Sequence, residues 1–303
     1  MRDEGPGVER ELEGQVRHIG PTHTDVAQRE AVAMATSDKV FAGSIPEIYD
    51  TYRVPLIFEP YASDLAQRVA QPGPEQVLET AAGTGVVTRA LAPLLPADAR
   101  YTVTDLNQPM LDRAAARQGS DHRIVWEQAD ALHLPFEPES FDAVVCQFGV
   151  MFFPDRIVGY GEALRVLKPK GRFLFNVWDR IEDNDFARVV TNVACAMFPD
   201  DPPRFLARTP HGYHKVEEIE ADLREAGFSG IEIVTLQKRS VAPSPRDAAV
   251  AYVQGSPLRS EIETRDPEAL DKVTDRATQK LAEIFGDGPV SGKIQAHVVV
   301  AQR

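Results

Sequence analysis

The stretch Val77-Leu78-Glu79-Thr80-Ala81-Ala82-Gly83-Thr84-Gly85 runs from apolar residues through one acid into a chain of small residues. Small residues let a backbone approach a ligand closely, and a helix opening behind them offers free N–H groups that suit a carboxylate as well as a phosphate. Taken alone, the same turn also serves tight strand-to-helix packing. A second acid, Asp105, ends the run Tyr101-Thr102-Val103-Thr104, one strand–helix–strand stride after Glu79. A carboxylate at a second strand's tip can accept both hydroxyls of an adenosine ribose. The competing use is an N-cap for a helix starting at Gln108, which Asn107 could provide instead. A third acid, Asp130, lies in Gln128-Ala129-Asp130-Ala131-Leu132-His133-Leu134-Pro135-Phe136, where it could bind an adenine amino group.

Two alternatives weaken on the same residues. A dinucleotide fingerprint starting at Gly83 would need a glycine where Thr88 stands, and an acid just ahead of the loop would repel a pyrophosphate. No nucleophilic triad is readable. His211, in Thr209-Pro210-His211-Gly212-Tyr213-His214, sits on an expected lid loop and is a weak candidate for a general base, while His133 reads as an exposed, inert histidine. No further Cys or His completes a metal site around His211 and His214, so no metal is expected. Cys146, inside Ala143-Val144-Val145-Cys146, reads as a buried thiol.

These residues need a scaffold of alternating elements. Short apolar strands are expected at 76–81, 100–106, 123–128, 141–148 and 172–178, with helices at 86–95, 108–118 and 155–167 between them. Lys168-Pro169-Lys170-Gly171 reads as a turn. This spacing predicts an α/β fold with a mostly parallel sheet covered on both faces. Upstream, 45–70 is amphipathic and reads as two helices broken near Pro55 and Pro60, closed by Gln71-Pro72-Gly73-Pro74. Downstream come helices at 185–198, 214–226, 246–254 and 267–285, a Pro-rich loop at 199–213, and strands at 231–239 and 292–301. Residues 1–36 read as an N-terminal tail or loosely attached helix. The expected organisation is one domain over 37–303, with its core at about 75–180 and cap elements from 45–70 and 180–290.

Five segments then fall in a specific order: the Glu79 loop, the Asp105 strand, the Asp130 loop, Phe141-Asp142-Ala143-Val144-Val145-Cys146-Gln147-Phe148, and Leu164-Arg165-Val166-Leu167-Lys168-Pro169-Lys170-Gly171-Arg172-Phe173. In combination they resemble the class I S-adenosylmethionine (SAM)-dependent methyltransferases, in particular the small-molecule group related to ubiquinone/menaquinone-biosynthesis methyltransferases. The resemblance spans about Val77 to Trp178, with one departure: the family often has glycine where this chain has Ala81.

The resemblance implies a Rossmann-like, seven-stranded, mostly parallel sheet with helices on both faces, an antiparallel last strand and a helical cap. It implies SAM as methyl donor. Glu79 would sit under the methionine end, near its amino group, with Ala81 and Gly83 lining the loop. Asp105 would hold the ribose, Leu106 and Met110 would flank the adenine, and Asp130 and Ala131 would meet its edge. Gln147 would face the methionine moiety, and Tyr49 joins this cofactor-binding set.

Acceptor-side candidates are Tyr49, Tyr52, Phe148, Met151, Phe152, Trp178, His211, Tyr213 and His214. The apolar Phe148–Phe153 run, with no Asn/Asp-Pro-Pro-aromatic motif, points to methyl transfer onto a modest-sized, partly apolar small molecule. Two rivals stand beside that enzyme: a SAM-fold binding protein without turnover and a nicotinamide-dependent oxidoreductase. The 303 residues carry 33 basic and 46 acidic side chains, a formal charge of −13, which disfavours nucleic acid as a partner. Two cysteines and the absence of a long apolar run lead to an expectation of a cytoplasmic protein with no membrane span, as monomer or homodimer.

Overall fold

Alternate residues of the central strands pack on opposite faces. Val77, Val145 and Leu174 join one buried cluster, while Leu78, Val144, Cys146, Phe173 and Phe175 join another. Strands buried on both sides must be apolar at every position, and this is why they read as short continuous hydrophobic runs. The computed structural model describes residues 45–303, so the tail expected over residues 1–36 lies outside the described residues.

Seven strands form one sheet: β1 (Gln76–Glu79), β2 (Arg100–Asp105), β3 (Ile124–Gln128), β4 (Phe141–Gln147), β5 (Leu167–Trp178), β6 (Ser229–Ala242) and β7 (Val290–Gln302). Their order is β3-β2-β1-β4-β5-β7-β6. The first five in that order pair in parallel, and β7 runs antiparallel to both β5 and β6. The strand order reverses between β1 and β4, which opens a crevice beyond their C-terminal ends.

One face carries the helices Glu59–Ala70, Val86–Leu91 and Gln108–Gln118 through Leu65, Val69, Leu91 and Leu111. The other carries Arg156–Val166 and Val216–Glu225 through Tyr160, Ala163, Ile219 and Leu223. The cap helices Asp185–Met197, Pro245–Val253 and Ala269–Phe285 bury Phe186, Val190, Tyr252, Val273 and Leu281 in the same cluster as Phe175. Cap and sheet therefore share one apolar interior. Among the described residues, no helix is long and apolar enough to cross a membrane.

Four sequence expectations need correction. Pro55 and Pro60 do not break the segment at 45–70: helix Ile45–Ile48, a π-helical stretch Tyr49–Phe58 and helix Glu59–Ala70 follow without an extended residue at either junction. Proline clashes with the carbonyl four residues back in an α-helix; the wider π turn accommodates Pro55, and Pro60 sits in a first turn, where no N–H is needed. The 168–171 segment is a bulge inside β5, because Phe141 pairs with Leu167 and Ala143 already with Arg172. The Pro-rich loop holds a short helix, Phe205–Arg208, and a further helix, Leu258–Arg265, precedes Ala269–Phe285. Leu258–Arg265 lacks a marked apolar face and buries only Leu258 and Ile262, so its periodicity is faint in the sequence.

Arg123 staples the rim of the sheet at the end opposite the crevice, just before β3. Its guanidinium donates to the carbonyls of Ala92, Leu95 and Pro96 at 2.8–3.1 Å and pairs with Asp121 at 2.7 Å. These carbonyls end the helical turn that follows the Glu79 loop, and helix-end carbonyls need a donor. Arg123→Ala is expected to lose about 1–3 kcal/mol of stability. A urea midpoint unchanged from wild type would show that solvent satisfies those carbonyls equally well.

Candidate functional site

The crevice is walled by the tips of β1, β2, β3 and β4. At its centre, the loop after β1 turns through three left-handed residues, Ala81 (φ 51°), Gly83 (φ 58°) and Gly85 (φ 75°). Alanine in that region carries about 1–2 kcal/mol of strain. Ala81 nevertheless takes up the left-handed turn, so the loop keeps a glycine-like path. Space is found at Gly149 after β4, where an added Cβ would lie 2.6 Å from both the Ala81 Cβ and the Cys146 Sγ. Phe148, also left-handed at φ 51°, mirrors Ala81 across the crevice. Its N–H donates to the Asn176 carbonyl and to Asn176 Oδ1, and its ring stacks on Trp178 at 3.9 Å.

The loop spends its donors internally. Ala82 N–H donates to the Thr104 carbonyl, Gly85 N–H to the Ala82 carbonyl, and Gly83 N–H to Asp105 Oδ2 at 2.8 Å. The free N–H cradle expected from the sequence is thus partly used within the protein. The loop contributes shape and closeness.

Asp105 is the hub of this arrangement. Its Oδ2 takes the Gly83 N–H, and its Oδ1 takes the Asn107 N–H at 2.8 Å. Asn107, at the N-cap position of the Gln108–Gln118 helix, makes no side-chain cap bond, and Asp105 braces the turn before it. Each oxygen keeps further acceptor capacity toward the cleft that Asp105 lines. Burial pushes the Asp105 carboxyl upward, opposed by the hydrogen bonds from Asn107 and Gly83.

The cleft is a partly open cavity of about 120 Å³. Tyr49, Ala81, Gly83, Asp105, Leu106, Met110, Asp130, Ala131 and Gln147 all line it. Asp130 holds its own turn by accepting the Leu132 N–H at 2.9 Å. Gly149 and Phe153, from the expected apolar run, line it too, as do Asn107, Ala129, Leu132 and Pro154, which the sequence does not single out as cleft residues. Asn107 was legible in principle, since a residue two after an Asp invites this side-chain-to-backbone turn. The rest are small or apolar residues whose exposure to the cleft depends on how the strand tips meet.

Two candidates stand away from the wall. Glu79 shares the strand face of Val77 and points inward, only 1% exposed. Its Oε2 accepts from Thr88 Oγ1 at 2.7 Å and from the Tyr101 hydroxyl. His211 is buried behind Trp178, with ring centroids 6.0 Å apart, and its Nδ1 meets the Asp179 carbonyl at 2.8 Å. A carbonyl can only accept, so Nδ1 carries the proton, and burial pushes the imidazole down to about 4. Of the aromatic candidates, Tyr49, Phe148 and Phe152 reach the cleft. Trp178 backs Phe148, while Tyr213 bonds Tyr160 and Asp222 away from it.

The described lining carries two carboxylates and no lysine, arginine or histidine. Gln147 adds a buried Oε1 with no hydrogen-bond partner. An acceptor left without a donor in a buried place is costly unless a ligand supplies one. This set fits a ligand bearing ribose hydroxyls and a positive charge, and it opposes a pyrophosphate. SAM, with its sulfonium and its ammonium, has that character.

Residues 78–175 match the family described as Methyltransferase domain. The chain is 30% identical over 203 residues to a demethylmenaquinone methyltransferase of Clavibacter sepedonicus, covering 60% of this chain and 79% of that protein. It is 30% identical over 235 residues to the ubiquinone/menaquinone biosynthesis C-methyltransferase UbiE of Bartonella tribocorum, covering 72% and 88%. The chain belongs to the class I SAM-dependent methyltransferases. Two solved structures share the fold: a putative methyltransferase from Bacillus halodurans (TM-score 0.53, 24% identity, 80% of this chain and 97% of that one) and the YcgJ protein from Bacillus subtilis (TM-score 0.52, 18% identity, 80% and 98%). This methyltransferase accordingly uses SAM as methyl donor on a seven-stranded Rossmann-like sheet.

Glu79 gives the methyltransferase a pH-sensitive core. Burial raises its carboxyl to about 7, against the hydrogen bonds from Tyr101 and Thr88 and the nearby Arg89. A folded value above the unfolded one means the carboxyl favours folding fully below its unfolded value, and that contribution is lost as pH rises through about 7. Between about pH 5 and pH 8, wild type is expected to lose roughly 2–3 kcal/mol relative to Glu79→Gln, whose amide does not titrate. Urea unfolding of both proteins across that range checks it; parallel pH curves would mean the carboxyl titrates alike in the folded and unfolded chains.

Proposed function

We propose that this methyltransferase transfers the methyl group of SAM to a modest-sized, partly apolar small-molecule acceptor by in-line displacement. The observation that carries this reading is the cleft at the β1/β4 reversal, with two carboxylates, no described cationic side chain and one orphaned amide oxygen. Asp105 is assigned to the ribose hydroxyls. Asp130 and Ala131 are assigned to the adenine edge, with Leu106 and Met110 flanking the ring. Tyr49, Ala81, Gly83 and Gln147 are assigned to the methionine end. Glu79 is assigned an indirect part, from beneath the loop.

SAM supplies a methyl group already activated on a sulfonium. What remains for the protein is alignment and exclusion of water, through which proximity and orientation lower the barrier. Phe148, Phe152, Phe153 and Pro154 form an apolar end to the cleft that suits a desolvated acceptor. The Tyr49 hydroxyl, pushed well up by burial, stays protonated and is a hydrogen-bond donor there. The two similar proteins named above carry names of quinone-biosynthesis methyltransferases, and a flat aromatic acceptor methylated on carbon lies within this reading.

Titration calorimetry with SAM and with S-adenosylhomocysteine is the first test; absence of binding of either at millimolar concentration would sink the assignment. Asp105→Ala is expected to weaken SAM binding by about 30- to 1000-fold, through loss of a charged acceptor shared by two hydroxyls. The same change orphans the N–H groups of Gly83 and Asn107, so a stability loss of about 1–3 kcal/mol should accompany it. Asp105→Asn keeps the shape and one carbonyl acceptor, so its SAM affinity should fall between the two. Equal SAM affinity in all three proteins would remove Asp105 from the donor site.

A further inference from the structure

Arg53 lies on the π-helical stretch, four residues after Tyr49, and is 5% exposed. Its guanidinium carbon stands 5.5 Å from the ring centre of Tyr252 and 6.0 Å from that of Phe58. Its one hydrogen bond among the described residues runs from Nη1 to the Gly255 carbonyl at 3.3 Å. Nε is buried without any acceptor. The titratable groups that bear on it most are the hydroxyls of Tyr252 and Tyr49, both kept protonated and so uncharged by burial. Among the described residues, no carboxylate pairs with it.

The neighbouring Asp50 shows the contrast. It is equally buried, and Arg113 and Arg117 both pair with it. Leaving a buried charge unpaired costs several kcal/mol, and a leucine or methionine would pack among these rings at no such cost. A counter-charge from outside the described fold would resolve this imbalance.

The rings around Arg53 adjoin the cleft. Phe58, whose face Arg53 approaches, lies 5.2 Å from the Tyr49 ring and 5.5 Å from the Phe148 ring, and both of these line the cleft's methyl-transfer end. With Nη1 committed to Gly255, the Nε–Nη2 edge is left. That edge is the planar fork that matches both oxygens of a carboxylate.

Resting on the proposed small-molecule reading, we infer that Arg53 anchors a carboxylate on the methyl acceptor, so that the enzyme's acceptor is an acid with a flat, apolar body. The Tyr49 and Phe148 rings that line the cleft take the body, and Arg53, beyond Phe58, fixes its orientation toward the donor site. The missing counter-charge is then carried in by the substrate.

The test compares acids with their neutral amides. Benzoate, 4-hydroxybenzoate and 2-naphthoate, each beside its carboxamide, are titrated into the full chain saturated with S-adenosylhomocysteine, using wild type, Arg53→Lys and Arg53→Met. In wild type, at least one acid should bind at least about tenfold more tightly than its amide. Arg53→Met should bring acid and amide to within about threefold, with Arg53→Lys between, while S-adenosylhomocysteine affinity changes by less than about threefold. Unliganded Arg53→Met should melt no lower than wild type, since an unpaired buried charge has been removed. Four outcomes overturn the inference: no acid preferred over its amide, a preference that survives Arg53→Met, a marked drop in melting temperature of that variant, or loss of its S-adenosylhomocysteine binding. If wild type fails to bind S-adenosylhomocysteine, the donor-site reading falls instead, and the acid–amide comparison without it still judges Arg53.

Discussion

The carboxylate of Asp105 joins two loops that would otherwise move independently. One oxygen holds Gly83 in the turn after β1, and the other holds Asn107 in the turn after β2. Backbone N–H groups on a buried carboxylate make strong, directional bonds. The floor of the cleft therefore keeps its shape without a ligand, and little ordering remains to be done when one arrives. Thr104, one residue earlier, ties the same strands from the side by donating to the Glu79 carbonyl at 2.9 Å. Placing cleft residues on strand tips fixed this way gives them the rigidity of the sheet.

Around that hub the charges are sorted by location. Carboxylates face the open cleft, where water or a cationic ligand can solvate them. Glu79 is drawn under the loop, where two hydroxyls satisfy it and burial favours its neutral form. His211 is held neutral deeper still. Arg53, the cation behind the aromatic wall, is the exception to this economy, since no described residue balances it. A buried group that weakens the fold is better explained by a ligand than by packing.

The backbone shows a matching concentration of strain. Ala81 and Phe148 both adopt left-handed conformations where β1 and β4 diverge, and Gly149 supplies the space that the Ala81 methyl needs. The stacked Phe148–Trp178 pair and the bonds from Phe148 N–H to Asn176 hold one side of this junction. The cap helices share the buried cluster of β5, so the aromatic cluster beside the cleft is built jointly by sheet and cap. Tyr252, on helix Pro245–Val253, reaches Arg53 only because the cap folds back across the π-helical stretch.

The sequence alone determined the sheet and the acids at its strand tips. Strands buried on both faces must be apolar throughout, and their turns need small or acidic residues, so Val77–Gly85, Tyr101–Asp105 and Phe141–Gln147 were readable from residue types and spacing. The helix expected from Gln108 to about Gln118 is also found there, ending at Gly119. Tertiary structure decided what depends on direction and on distant partners. Glu79 and Asp105 look alike in sequence and lie on the same face of the sheet, yet Glu79 pairs with Val103 inside the core while Asp105, two residues further along β2, reaches the cleft. Pro55 seemed to end a helix, but the π turn accommodates it, and that stretch carries both Tyr49 and Arg53. Nothing in the sequence marks Arg53; residues about two hundred positions later close over it at Gly255 and Tyr252. Burial is set by the whole fold, and whether a charge has lost its water and found a partner is not encoded in its neighbours along the chain.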